Sequence, residues 1–228
     1  ATQYVTKARW SVNFRRIPES FVSFMPVVAV LGILFVLTSF YHSDSGHFGA
    51  ASIYHWMDPA AVAMDKLLQH KAGYLNSTFM LIRTFVLFVI MVYFGRKLIC
   101  NSLSQDNDGN VKWTLSSVRH SAVFLVLFAI SFSAFSYDFL MSVEPHWFST
   151  MFPVYTFATA FYSTMALTAL ILVYFYQKGF FGGYVSHEHI HDVSKLTFAF
   201  CVFWAYSAFC QFMLIWYLSL IHISEPTR

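Results

Sequence analysis

Charge is what this sequence has least of. Only 11% of its 228 residues are Asp, Glu, Lys or Arg, whereas a soluble domain carries about 25%. So little polar surface cannot keep 57% hydrophobic and 20% aromatic residues in water. A water-soluble globule is excluded, and a membrane protein is indicated. Cysteine is also scarce. Cys100, Cys201 and Cys210 form no C-x-x-C, no haem-attachment C-x-x-C-H and no zinc spacing. A thiolate-bound redox centre would therefore belong to another chain, and Cys201 and Cys210 read as small apolar residues on a helix. The sequence contains no phosphate-binding glycine loop, no G-x-G-x-x-G and no Ser–His–Asp pattern. The net charge of +3 gives no reason to expect a nucleic-acid partner; what matters is where the cations lie.

The hydrophobic residues are concentrated in long runs. A helix that spans a bilayer needs about 20 mostly apolar residues. Five segments qualify: 21–40, 75–93, 122–141, 152–176 and 197–217. The expected fold is an all-α, polytopic membrane bundle with five transmembrane helices, preceded by a polar segment over 1–20. The first run is not a signal peptide, because it is too long and no small-residue cleavage site follows it. It begins at "RRIPESF" (Arg15 to Phe21), with two Arg ahead of the run and Pro18 suited to a first helical turn.

Lys and Arg in the connections set the orientation. Lys7, Arg9, Arg15 and Arg16 precede the first run; Arg96, Lys97, Lys112 and Arg119 follow the second; Lys178 and Lys195 follow the fourth. The opposite side has Lys66 and Lys71 in the 41–74 connection and none in 142–151. This bias predicts a cytoplasmic N-terminus and places "MSVEPHWFST" outside, in the periplasm of a bacterial inner membrane. "QDNDGN" (105–110) reads as an ordinary polar turn.

Against this background the charges within the runs are conspicuous. Arg83 lies eight residues into the second run, about 12 Å deep, and Asp138 lies near the outer end of the third, about 5–8 Å deep. An isolated central charge costs about 2.5–3.5 kcal/mol on insertion scales, and a pair removes much of that penalty. Two readings stand side by side. The pair locks adjacent helices, or Asp138 accepts protons in a polar cavity open to the outer face. Glu144, Pro145, His146 and Trp147 make the next connection, where Trp147 reads as an interfacial anchor and Glu144 with His146 as either a solvated turn or a polar mouth. Tyr137, beside Asp138, and the hydroxyls of Ser163 and Thr164 in the fourth run complete the candidates for a proton path or quinone site. Thr156, Thr159 and Thr168 share that run, where Ser and Thr commonly join helices. "HEHIH" (187–191) has metal-like residues but no fourth ligand, and reads as a solvated loop. No His occupies the middle of a run, so a bundle holding haem between axial His pairs is disfavoured.

Three stretches carry a family resemblance: "RRIPESF", "KAGYLNSTFMLIR" (71–83) and above all "SYDFLMSVEPHWFSTMFPVY" (136–155). Together they resemble the NrfD-related membrane subunits of alternative complex III, a bacterial quinol:cytochrome c oxidoreductase, and most of all the smaller, ActF-type subunit. The resemblance runs from about Trp10 to Tyr217. It implies an internal part of a longer subunit, partners comprising a multihaem cytochrome, an iron–sulfur protein and a sister NrfD-like subunit, and haem c and iron–sulfur clusters held on those partners. This chain would bind no cofactor itself, with quinone or quinol as a possible ligand. A role in quinone binding or proton conduction follows, with Asp138, Glu144 and His146 at the periplasmic mouth and Arg83 balancing the charge. Two other classes remain open: a secondary transporter with a charged intramembrane path, disfavoured because no span is visibly interrupted by Gly or Pro near its middle, and a structural anchor for redox subunits. The last eleven residues, "LSLIHISEPTR" (218–228), resemble a translated sequencing adapter, so the natural sequence is expected to depart after Tyr217, and His222, Glu225 and Arg228 carry no function.

Overall fold

Five helices are long and apolar enough to cross a membrane, over Arg16–Leu37, Ser77–Asp108, Val111–Val143, Phe152–Gln177 and His187–Tyr217. They appear in a computed structural model that describes residues 1–8, 10–38, 42–43, 46–47 and 53–217. The tail 218–228 lies outside the described residues. Helices are numbered α1 (Thr2–Val5), α2 (Arg16–Ser23), α3 (Met25–Leu37), α4 (Pro59–Met64), α5 (Lys66–Lys71), α6 (Ser77–Asp108), α7 (Val111–Phe135), α8 (Phe152–Gln177) and α9 (His187–Tyr217). A two-residue antiparallel pairing, His42–Ser43 with Gly46–His47, is the one strand contact among the described residues. The chain forms two compact units, Ala1–Phe148 and Ser149–Arg228.

Along the helix contacts, small polar residues are buried while many large apolar ones face outward. Thr84, Asn101, Ser102, Ser117, Ser121, Ser131 and Ser136 are almost fully buried, while Ile130, Leu170 and Phe198 are 65–72% exposed. In lipid, burying Leu or Phe against another helix gains little, and small residues that allow close approach take the interface. Two glycines show how close that approach is. A Cβ on Gly32 would stand 2.6 Å from the Phe88 ring, and one on Gly95 would stand 2.6 Å from Val22 Cγ1. Gly32 therefore seats α3, and Gly95 seats α2, against α6.

Helix ends follow capping chemistry rather than hydropathy, which corrects the boundaries expected from the sequence. Asn76 caps α6 by accepting from the Phe79 amide (2.8 Å). The helix then runs 32 residues, about 48 Å, well past the 30 Å or so of a hydrocarbon core. "QDNDGN" is consequently not a loop. α6 continues through Asp108, Gly109 ends it in the left-handed region (φ 61°), and Asn110 caps α7 by accepting from the Lys112 amide. Gln105 to Thr114 (2.7 Å) and Asn101 to Ser116 (3.1 Å) then tie the hairpin across.

The first span is also not continuous. It breaks at Phe24, because Pro26 has no N–H to donate back to Val22. The described part of the N-terminal segment 1–20 is partly helical, and Arg15 and Arg16 fold onto the end of α6. Arg15 donates to Ser102 Oγ (3.1 Å) and pairs with Glu19, while Arg16 bridges Glu19 (2.8 Å) and Asp106. Two of the basic segments counted in the sequence thus meet at one end of the first unit, called here the basic end.

In the second unit α8 and α9 form an antiparallel pair. Phe161 meets Phe200 with centroids 4.1 Å apart, and Tyr155 stacks on Trp204 at 6.1 Å. "HEHIH" is not a loop but the first turns of α9. Ser186 precedes it, and His189 Nδ1 lies 3.1 Å from the Ser186 amide and 2.8 Å from its hydroxyl, a side chain folded back in the manner of a capping box.

Candidate functional site

The end of the third span is where local structure departs from the α-helix. After α7, residues Ser136–Leu140 wind as a π turn and Met141–Val143 as a 3-10 turn. Single π turns inside α-helices mark functional sites more often than ordinary helix does. At the centre of this one is Asp138, whose side chain is 0% exposed.

Its partner is Arg83 of α6, joined in a fork. Arg83 Nε donates to Asp138 Oδ2 at 2.8 Å and Nη2 donates to Oδ1 at 2.9 Å. The third nitrogen, Nη1, donates to the Tyr74 carbonyl at 3.0 Å. The guanidinium plane is sandwiched by aromatic faces, with Cζ 3.9 Å from the Tyr74 ring centre and 4.3 Å from that of Phe79. Planarity and a fixed fork suit Arg to this position and Lys to neither contact. The Tyr74 ring is thus held beside the Arg83–Asp138 pair through the guanidinium.

The connection before α6 holds this turn in place. Near a helix end the last carbonyls lack intrahelical donors, and leaving one unmet away from water costs about 1–3 kcal/mol. Three side chains meet carbonyls of this irregular stretch and the turn after it, at a spacing of three residues. Tyr54 donates to Phe139 O (3.0 Å), Trp56 Nε1 to Ser142 O (3.1 Å), and Lys71 Nζ to Pro145 O (2.6 Å). Ser142 Oγ donates back to Asp138 O. Around them Val36, Tyr54, Trp56, Met57, Leu68 and Met80 form a buried apolar cluster, each large member contributing about 1.5–3 kcal/mol. Burial first, and the Asp138 charge second, push the Tyr54 phenol up to about 12. The Tyr74 phenol is likewise pushed up to about 12 by burial and then by Asp138.

Of the residues singled out in the sequence, Arg83, Asp138 and the neighbouring Tyr137 come together here. Glu144 and His146 do not join them. His146 Nε2 lies 2.6 Å from Asp65 Oδ2 instead, and Glu144 is exposed. Asp65 caps α5 by accepting from the Leu67 (2.8 Å) and Leu68 (3.4 Å) amides. The Leu67 amide first, and the His146 ring after it, hold its carboxyl below the ordinary range. Trp147 is half-buried, and its amide donates to Glu144 O. A single mouth formed by Asp138, Glu144 and His146 is therefore replaced by two clusters. One is a buried Arg83–Asp138 pair with the partly exposed Tyr74 against the guanidinium, and the other an exposed Asp65–His146 pair.

The hydroxyls of the fourth span are directed into its own backbone. Ser163 donates to Thr159 O (2.8 Å), Thr164 to Ala160 O (2.7 Å) and Thr168 to Thr164 O (2.7 Å). Along the α6–α7 seam, buried Ser117 and Ser121 are separated from Ser131 and Asp138 by aromatic rings. Phe94 stacks on Phe124 at 5.5 Å, and Phe88 meets Phe135 at 6.5 Å. Polar groups lie on both sides of Asp138. Buried Ser136 and Ser131 lie toward the basic end, with the ring pairs set among the polar groups of that side, and the Tyr74 carbonyl bound by Arg83 lies toward the loop end. Among the described residues no group of three or more His, Cys, Asp or Glu is placed to hold a metal ion.

Tyr54, Trp56, Asp65, Lys71 and Tyr74 were not among the sequence candidates. Their signal was present in composition: a connection carrying "SIYHWM" and "AAVAMDKLL" is too apolar to be a solvated loop. Compared with known proteins, the chain matches no protein-family model and no curated protein.

Proposed function

We propose that this chain is an integral subunit of a respiratory quinol:cytochrome c oxidoreductase of the alternative complex III type, in a bacterial inner membrane with its N-terminus cytoplasmic. In this reading the haem and iron–sulfur centres sit on a multihaem cytochrome, an iron–sulfur protein and a sister NrfD-like subunit. This chain contributes to quinone binding or to a proton path at the periplasmic face. The observation that carries the reading is Asp138. It is a fully buried carboxylate, set in a π turn within the run that bears the family resemblance, and it is held by both Nε and Nη2 of an Arg. A group that accepts and releases protons needs a route outward, and the partly exposed Tyr74, whose ring lies 3.9 Å from Arg83 Cζ, stands beside the pair on the loop side. The aromatic rings on the other side oppose leakage across the membrane.

A structural anchor is the competing reading, favoured by one fact: each nitrogen of Arg83 already has an acceptor. One experiment separates the two. In the purified complex, Asp138→Asn keeps side-chain volume and hydrogen bonding, so assembly, followed as haem content, is retained. As a proton-transfer group, Asp138 predicts quinol-dependent cytochrome c reduction per haem lower by about 100-fold. Unchanged turnover with unchanged proton release makes Asp138 scaffolding and removes the proton path.

A further inference from the structure

Away from the Arg83–Asp138 site, a groove runs between α3 and α6 with a volume of about 610 Å³. Its walls are Ala29 and Ile33 of α3 with Phe88 and Val92 of α6, and its basic end is closed by Arg96 and Lys97. Between the close approaches at Gly32 and Gly95, the small Ala29 leaves room beside α6. Phe85 and Val89, 56% and 50% exposed, border it on the side facing the surroundings. Neither Arg96 nor Lys97 has a hydrogen bond or ion pair to a described residue. The nearby carboxylates of Glu19 and Asp106 are already bonded to Arg15 and Arg16.

We propose that this groove binds an anionic phospholipid, with one acyl chain along the apolar walls and the headgroup phosphate at Arg96 and Lys97. Length supports it. From Lys97 to Phe85 is twelve residues, about 18 Å of helix, close to half of a hydrocarbon core about 30 Å thick. Charge supports it too. Two uncompensated cations stand where the apolar walls end, which fits a phosphate attached to a hydrocarbon chain and gives a neutral tail no added hold. The apolar walls offer nothing to a free polar solute.

The test uses the full chain in detergent micelles, with lipid retention read by native mass spectrometry. Phosphatidylglycerol is expected to be retained in preference to phosphatidylcholine with the same acyl chains. Arg96→Gln with Lys97→Gln, both near the surface and outside the helix contacts, lowers phosphatidylglycerol affinity roughly 30-fold, as two cations near an anionic headgroup predict, and leaves phosphatidylcholine binding as it was. Ala29→Trp, which fills the groove, lowers retention of both lipids about tenfold or more, the loss expected from a few unburied methylenes. Helical circular dichroism checks that each variant is folded. Equal retention of the two lipids, or no effect of the double Gln variant, overturns the proposal. So does displacement of phosphatidylglycerol by inorganic phosphate alone, which would mean a free-anion site, or by a short-tailed quinone at equal concentration, which would mean a quinone groove.

Discussion

Removing Arg83 tests how the first unit is held at its loop end. Arg83→Ala leaves Asp138, whose side chain is 0% exposed in the intact protein, with no cation beside it. Breaking a buried ion pair from one side costs about 3–5 kcal/mol. The cost falls at the high end, because the same change removes the Nη1 bond to Tyr74 O and two aromatic contacts at 3.9 and 4.3 Å. A desolvated cation–π contact alone is worth about 2 kcal/mol. Asp138→Asn should cost less, about 1–3 kcal/mol. Arg83 keeps a carboxamide oxygen as acceptor, its Tyr74 carbonyl and both rings, and its own side chain is 13% exposed. In the double variant the uncompensated charge is gone. It should therefore recover about 1–2 kcal/mol relative to Arg83→Ala, a coupling energy within the range for residues in direct contact. The assay is unfolding of the full chain in mixed micelles, with fluorescence of Trp56, whose indole bonds Ser142 O beside the π turn. An Arg83→Ala cost below about 1 kcal/mol, the value of an exposed pair, refutes the argument. Strict additivity of the two single changes refutes it equally.

Two further outcomes are expected. A reporter fused within 142–151 should read periplasmic and one at Gly109–Asn110 cytoplasmic; the reverse pattern overturns the orientation and places Arg96 and Lys97 in the outer leaflet. The Tyr54 and Tyr74 phenols, both raised to about 12, should titrate late in ultraviolet absorbance. Since a raised folded value favours the neutral phenol, their contribution to stability is intact below about pH 10 and lost as pH rises through 12. Tyr54→Phe removes one late titration, and a Tyr54 phenol that ionises near pH 10 in the folded chain contradicts its burial.

The sequence made the pairing legible because its logic is energetic. Two opposite charges in consecutive apolar runs, each toward the end remote from the connection that joins them, have few alternatives to each other. Helix number was legible for the same reason, since lipid tolerates no other described arrangement of such runs. Helix ends were not, because hydropathy falls off where the bilayer stops while the helix stops only where its ladder is capped. Asn76, Gly109 and Asn110 were the local signals, and a reading by hydropathy passes over them. The partner of His146 was hidden by distance along the chain, as Asp65 lies 81 positions away. The break at Phe24 had a visible cause in Pro26, yet a run of apolar residues reads as continuous.

The aromatic and cationic residues of 53–76 make one physical argument out of these pieces. A span that ends in π and 3-10 turns gives up regular backbone pairing where water is scarce. It persists only if donors reach the carbonyls that the irregular winding exposes. Tyr54, Trp56 and Lys71 do so at positions 139, 142 and 145, and their own bulk excludes water from the Asp138 side. Asp138 is therefore kept buried by the same loop that stabilises the distorted turn around it. An ordinary α-helix at this place would need none of these donors, and a lone buried carboxylate would need none of the distortion. Their occurrence together ties the backbone irregularity to the Arg83–Asp138 pair, rather than to the end of the span as such.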